Sequence, residues 1–195
     1  MDYKDITYVK TGETMTEELL AKYRKEDPGG LMVMHHIKEK DMLEAFKREG
    51  VFVGSDGVPF TTDDGIPDWD APYGEGKGHP RGAGTHAKVL SLVREQNVIP
   101  LTEAISKMTY LPAAFLEDMV PDMKVRGRLQ PGAVADITIF DPATVTDNAT
   151  FDEGKNSLPS TGIPYVIVNG TVVVKDSKVL KDVYPGQPIR NPVLD

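Results

Sequence analysis

Gly54-Ser55-Asp56-Gly57 places a carboxylate between glycines, directly after the apolar run Val51-Phe52-Val53. Such glycines let a backbone approach a ligand or a metal closely and admit unusual dihedral angles. The same four residues also suit a turn that needs Asp and Gly for geometry alone. His79-Pro80-Arg81 follows further along the chain. An arginine above an active face can grip a carboxylate through two parallel hydrogen bonds, which suits an amino-acid α-carboxylate; it can equally be a solvated surface residue. His35 and His36 are adjacent, and neighbours on a regular strand point to opposite faces, so the two cannot serve one metal together. His86 falls in the first turn of an expected helix, where a structural role suits it.

No His-x-His, His-x-x-Glu-His or His-Glu-x-x-His spacing occurs, so no complete metal site is legible. Gly74-Glu75-Gly76-Lys77-Gly78 is rich in glycine but has no strand before it, and a phosphate cradle needs one.

These residues need elements to position them. Thr14-Met15-Thr16-Glu17 has capping-box spacing, and Leu19, Leu20 and Tyr23 mark one face of a short helix that Asp27-Pro28-Gly29-Gly30 ends. Residues 31–34 and 51–53 read as strands buried on both faces. A helix over residues 41–48 lies between them, with Met42, Leu43 and Phe46 inward and Gly50 past its end. Strand, helix, strand at this spacing predicts a βαβ unit with parallel strands. Asp56 would then sit beyond a strand's C-terminal end, where α/β barrels gather their catalytic groups.

Residues 54–84 form a long connection rich in Gly, Pro and Asp, and loops of that length are usually functional or mobile. Thr85 is placed to cap a helix through residue 94, with Val89, Leu90 and Val93 buried. Helices near 101–108, capped by Thr102, and 111–116, with Pro112 in its first turn, follow. After Met123 the pattern turns to strands: residues 135–140, then 165–168 and 171–174 around Asn169-Gly170, the strongest short hairpin signal. Val179-Leu180 adds a further strand after Asp176-Ser177, and the tail from Tyr184 is irregular. The expected division is an α/β part over 1–123 and a β part over 124–195.

Composition narrows the function. With 30 acidic against 22 basic residues the chain carries a formal charge of -8, which disfavours nucleic acid as a partner. No apolar stretch reaches the roughly 18 residues a membrane span requires. The charged start Met1-Asp2-Tyr3-Lys4-Asp5 lacks the apolar run of a signal peptide. The absence of cysteine removes disulfides and thiolate metal sites and fits a cytoplasmic protein.

The order of these segments resembles the N-acyl-D-amino-acid deacylases (D-aminoacylases) of the amidohydrolase superfamily. Ser55-Asp56-Gly57, His79-Pro80-Arg81 with Gly84-Thr85, and Leu101-Thr102-Glu103-Ala104-Ile105-Ser106-Lys107-Met108-Thr109 stand in that order. Arg126-Gly127-Arg128-Leu129-Gln130-Pro131-Gly132-Ala133-Val134-Ala135-Asp136-Ile137 then looks like the passage by which amidohydrolases leave the barrel for a small β domain. Phe140-Asp141-Pro142-Ala143-Thr144-Val145 and the hairpin at Val168-Asn169-Gly170 continue the likeness, which runs over about residues 11–190.

The resemblance implies the C-terminal portion of a metal-dependent amidohydrolase (β/α)₈ barrel followed by strands of a β-sandwich. It implies zinc and hydrolysis of the amide of N-acyl-D-amino acids. By the same resemblance Asp56 is the general base, which takes a proton from metal-bound water, returns one to the leaving amine and serves as a weak metal contact. Arg81 is implied to grip the substrate carboxylate, with Ser55, Gly57 and His79 beside it. The family's His-x-His and its other ligands lie upstream of anything present, so the partners this reading invites are an upstream barrel half or further copies of the chain. The alternatives are a non-catalytic scaffold and a ring-opening relative such as a dihydropyrimidinase, against which Arg81 and its neighbours weigh.

Overall fold

The structure, a computed structural model, describes residues 2–62 and 64–190. The chain divides into two units, Met1–Ala45 with Ser55–Thr85 and Asp147–Ser160, and Phe46–Gly54 with His86–Thr146 and Thr161–Asp195. Asp63, one of the acidic residues of the long connection, and residues 191–195 of the tail lie outside the described residues.

In the first unit β1 (Ile6–Tyr8) pairs antiparallel with β2 (Met32–Met34), Thr7 opposite Val33. Between them runs α1 (Glu17–Glu26), opened by Thr16, whose side chain accepts the Leu19 N–H at 3.2 Å. Thr14, the expected cap, is instead drawn into an antiparallel bridge to Thr7, which delays the helix by a turn's start. The α1 face expected from sequence is the buried one: Leu19, Leu20 and Tyr23 pack with Ile6, Tyr8, Met15 and Met32. Tyr8 and Tyr23 stack with ring centroids 4.0 Å apart. Their hydroxyls donate to Asp27 and Glu13, so the burial of two phenols leaves no polar atom stranded.

The predicted parallel βαβ unit is not formed. The ladder of β2 is taken up by β1 in the antiparallel sense, and Leu31 and Met34 stay exposed rather than buried on both faces. Val51-Phe52-Val53 forms no strand among the described residues. Its backbone is claimed by Lys107, whose ammonium donates to the carbonyls of Arg48 (2.7 Å) and Val51 (3.0 Å). The Lys107 carbonyl in turn accepts the Val53 N–H at 2.9 Å. The intervening helix, α2 (Glu39–Phe46), starts two residues early, and Phe46 alone of its three expected inward residues is buried while Met42 is exposed.

Helix α3 (Arg81–Gln96) begins four residues before the expected cap at Thr85, whose hydroxyl instead donates to the Arg81 carbonyl at 2.8 Å. In the second unit, α4 (Leu101–Met108) and α5 (Tyr110–Leu116) occupy the predicted spans. Thr102 caps nothing, because Pro100, with φ of -58°, already sets the entry to α4. Val89 and Val93 of α3 meet Phe46, Ile99 and Ala104 in one core cluster, and Leu90 joins Ala87 and Val145 in another.

The β part is a four-stranded antiparallel sheet in the order β3 (Ile137–Ile139), β4 (Tyr165–Val168), β5 (Thr171–Lys175) and β6 (Lys178–Val179). Asn169 and Gly170 take φ of 48° and 79°, the left-handed pair that a tight hairpin needs. Asp136 fastens this turn: Oδ1 accepts the Asn169 N–H at 2.7 Å while Oδ2 pairs with Arg126 at 2.5 Å. Asp176 and Ser177, at φ 50° and 62°, make the next turn by the same geometry. Residues 184–190 form no helix or strand. No helix among the described residues is long and apolar enough to cross a membrane.

Candidate functional site

Asp56, Arg81, His79 and His35, four of the residues singled out by type, lie in the first unit. Asp56 sits at φ 47°, a left-handed conformation that aspartate tolerates better than most residues. Ser55 steadies the turn by accepting the Gly57 N–H at 3.3 Å. Gly57 lies hard against the opening of α3, since a Cβ there would stand 2.9 Å from the Cα of Gly82. That backbone-to-backbone approach brings two distant segments together, and the Arg81 Nη2 meets the Asp56 Oδ2 at 2.9 Å.

The Asp56 side chain is 88% exposed and that of Arg81 41%, so water screens the pair and it contributes at most about 1 kcal/mol. A carboxylate entering from solvent can therefore displace Asp56 from the guanidinium at little cost.

His79 is half-buried beside this pair. Its Nδ1 accepts the Arg81 N–H at 3.1 Å, and its carbonyl accepts the Gly82 N–H at 3.0 Å. Burial, reinforced by repulsion from Arg81 and His35, holds the imidazole below its usual pKa. Its ring meets Phe151 edge-on with centroids 4.9 Å apart. His35 contacts the same Phe151 at 4.9 Å, and its Nε2 lies 3.0 Å from the Thr7 Oγ1.

Phe151 was not legible from sequence, because nothing local marks an aromatic in an irregular segment as the partner of two histidines. Phe60 was missed as well. Its ring is cradled by Gly76, Gly78 and Gly82, each lacking the side chain that would strike it. A signal for this existed: glycines in the first turn of a helix, as in Arg81-Gly82-Ala83-Gly84, weaken it and call for a packing reason. Gly84 has one, since a Cβ there would overlap the Asp147 carboxylate. The run Gly74-Glu75-Gly76-Lys77-Gly78 is explained in the same way, by close packing on Phe60 and Gly154.

His36 joins none of these contacts; its N–H donates to the Met34 carbonyl at 2.9 Å. His86 lies in the second turn of α3, not the first. Among the described residues no group of three or more His, Asp or Glu side chains could hold a metal ion. Asp56 alone is a single donor facing a guanidinium, and that does not make a zinc site.

The model of the Amidohydrolase family matches residues 12–174. Two proteins of Alcaligenes xylosoxydans xylosoxydans are similar in sequence. The N-acyl-D-glutamate deacylase is 40% identical over 138 residues, and the N-acyl-D-aspartate deacylase 41% over 141. Each alignment covers 70% of this chain but 24% of the relative, so the chain spans about a quarter of their length. Among solved structures, the N-acyl-D-glutamate deacylase of Bordetella bronchiseptica, complexed with zinc and a phosphonate mimic of the tetrahedral intermediate, superposes with a TM-score of 0.72 at 32% identity. It covers 96% of this chain and 38% of its own. A D-aminoacylase studied for its binuclear metal centre gives a TM-score of 0.68 at 28% identity, covering 91% and 36%.

Proposed function

The chain belongs to the amidohydrolase family, and from that premise we propose that it serves the hydrolysis of N-acyl-D-amino acids to a carboxylate and a free D-amino acid, supplying the C-terminal part of the site. The observation that carries this reading is the Asp56–Arg81 pair, which sets a proton-transfer group 2.9 Å from a carboxylate-binding group. The two Alcaligenes proteins described above are an N-acyl-D-glutamate deacylase and an N-acyl-D-aspartate deacylase, and the carboxylate of an N-acyl amino acid is a group that a guanidinium binds well.

In this reading Arg81 exchanges the Asp56 carboxylate for that of the substrate through two parallel hydrogen bonds. The freed Asp56 accepts a proton from the attacking water and returns one to the nitrogen of the departing amine, so that the same group acts first as base and then as acid. Ser55 and Gly57 fix the turn that presents Asp56, and His79 belongs to the substrate-binding group through its hydrogen bond to the Arg81 amide. Zinc enters through the zinc-bound relative, with Asp56 as the donor this chain offers. One donor does not fix a metal, so the proton steps are assigned to Asp56 alone. Within the same reading, residues 1–123 correspond to the closing part of a barrel and 124–195 to strands of a β-sandwich; the antiparallel sheet β3 to β6 supports the second.

The test is retained zinc and free amine released from N-acetyl-D-glutamate by the purified chain, with Asp56→Asn alongside. Release that disappears in Asp56→Asn supports the assignment. Release undiminished by that change contradicts it.

A further inference from the structure

Arg81 can aim at a carboxylate only if the first turn of α3 is held, and that turn is opened in an unusual way. A helix leaves its first N–H groups without internal partners. Here Pro80 has no N–H to satisfy, the Arg81 N–H goes to His79 Nδ1, and the Gly82 N–H goes to the His79 carbonyl. One residue thus serves as cap with both side chain and backbone, a position where Ser, Thr, Asp or Asn is the usual choice.

A short polar cap would supply the acceptor but not the ring. The His79 ring reaches Phe151, and Phe151 is also met by His35, which is itself tied to Thr7 of β1. The imidazole therefore links the cap to a residue from the segment Asp147–Ser160 of the same unit. Accepting at Nδ1 places the proton on Nε2, and burial with the nearby charges of Arg81 and His35 opposes a second one.

We propose that His79 is a positioning residue, aiming the Arg81 guanidinium through its Nδ1 cap on the Arg81 amide, with Phe151 as buttress and without touching the substrate. The identity of the carboxylate that Arg81 receives rests on the deacylase reading; the positioning itself needs no ligand.

The experiment uses the ¹⁵N-labelled full chain and three variants, His79→Ala, His79→Asn and His79→Gln. Asparagine puts its oxygen where Nδ1 stands, and glutamine puts its oxygen one bond further out, where Nε2 stands. The readouts are the hydrogen-exchange rate of the Arg81 amide and the Nε–H resonance of the Arg81 guanidinium, identified by its loss in Arg81→Lys. His79→Ala should speed exchange about fivefold, the worth of a typical cap, and move the Nε–H resonance toward that of Asp56→Asn. His79→Asn should restore both, and His79→Gln neither. Restoration by Gln and not Asn, or an unchanged Arg81 in His79→Ala, overturns the proposal. If His79→Ala does not fold, the contrast between Asn and Gln makes the same decision. Affinity for N-acetyl-D-glutamate, measured next, should follow the same order, wild type and Asn above Ala and Gln; affinity restored by Gln overturns the proposal. If the resonances follow the order and no protein of the series binds N-acetyl-D-glutamate, the positioning role stands and the deacylase reading falls.

Discussion

The C-terminal sheet and the stretch Val51-Phe52-Val53 are both rich in β-branched and aromatic residues, yet one is a sheet and the other is not. The difference lies in where each finds its partners. Strands β4 and β5 are joined by Asn169-Gly170, so the turn chemistry that pairs them is written between them. Val51-Phe52-Val53 has no such neighbour, and its hydrogen bonds go to Lys107, more than fifty residues away. Apolar character alone does not fix a segment's fate, since Val51 and Phe52 stay exposed, whereas the local turn at Asn169-Gly170 names the partner of β4.

The largest effect should come from breaking the remote partnership. Lys107 is 1% exposed, and its ammonium also lies 3.6 Å from Glu103. Replacing it by alanine strands two backbone carbonyls and opens a cavity, which should lower stability to denaturant by about 3 kcal/mol. Lys107→Met, which keeps the volume but not the donors, should fall between alanine and the wild type. A loss below about 1 kcal/mol in Lys107→Ala would mean that the segment is held by something else.

Breaking the local partnership should cost less. Gly170→Ala forces a side chain into the left-handed region at φ 79° and should lower stability by about 1 kcal/mol. Thermal melts of that variant should show one shifted transition; an unshifted transition would mean that the turn is not what registers β4 on β5.

The smallest effect is a pH dependence. The folded-state pKa of His79 lies below its unfolded value, so the unfolded chain binds its proton first as the solution is acidified. The contribution is complete above the unfolded value, near 6.5, and is lost as pH falls below it, until the folded imidazole titrates too. His79→Asn, which cannot titrate, should flatten that part of the stability curve, and an identical slope in both proteins would contradict the assignment.

What could be read from sequence follows the same division. The Asn169-Gly170 hairpin, the buried stripe Val89, Leu90 and Val93, and the span of α4 are set by residues within a few positions of one another, and each was legible. Asp56 and Arg81 were legible as chemical types and through the family resemblance, and the structure brings them into contact. The strand pairing at residues 31–34, the start of α3 and the roles of Phe60 and Phe151 were not. Each depends on a partner that the segment itself does not name: β1 for β2, the His79 side chain for α3 and two histidines for Phe151, while the glycines that cradle Phe60 signal close packing without saying against what. Thr85 and Thr102 show the limit of local rules too, since both are good caps by type and both sit inside helices that open earlier.

In the proposed function, Arg81 trades Asp56 for the carboxylate of the substrate. The most direct measurement is the ¹³C carboxyl shift of Asp56 while N-acetyl-D-glutamate is added to the chain and to Arg81→Ala. A saturable shift is expected in the wild type, as Asp56 loses its guanidinium, and neither that shift nor comparable affinity in Arg81→Ala. Saturation of the wild type with the Asp56 signal unmoved, or equal affinity in Arg81→Ala, would contradict it.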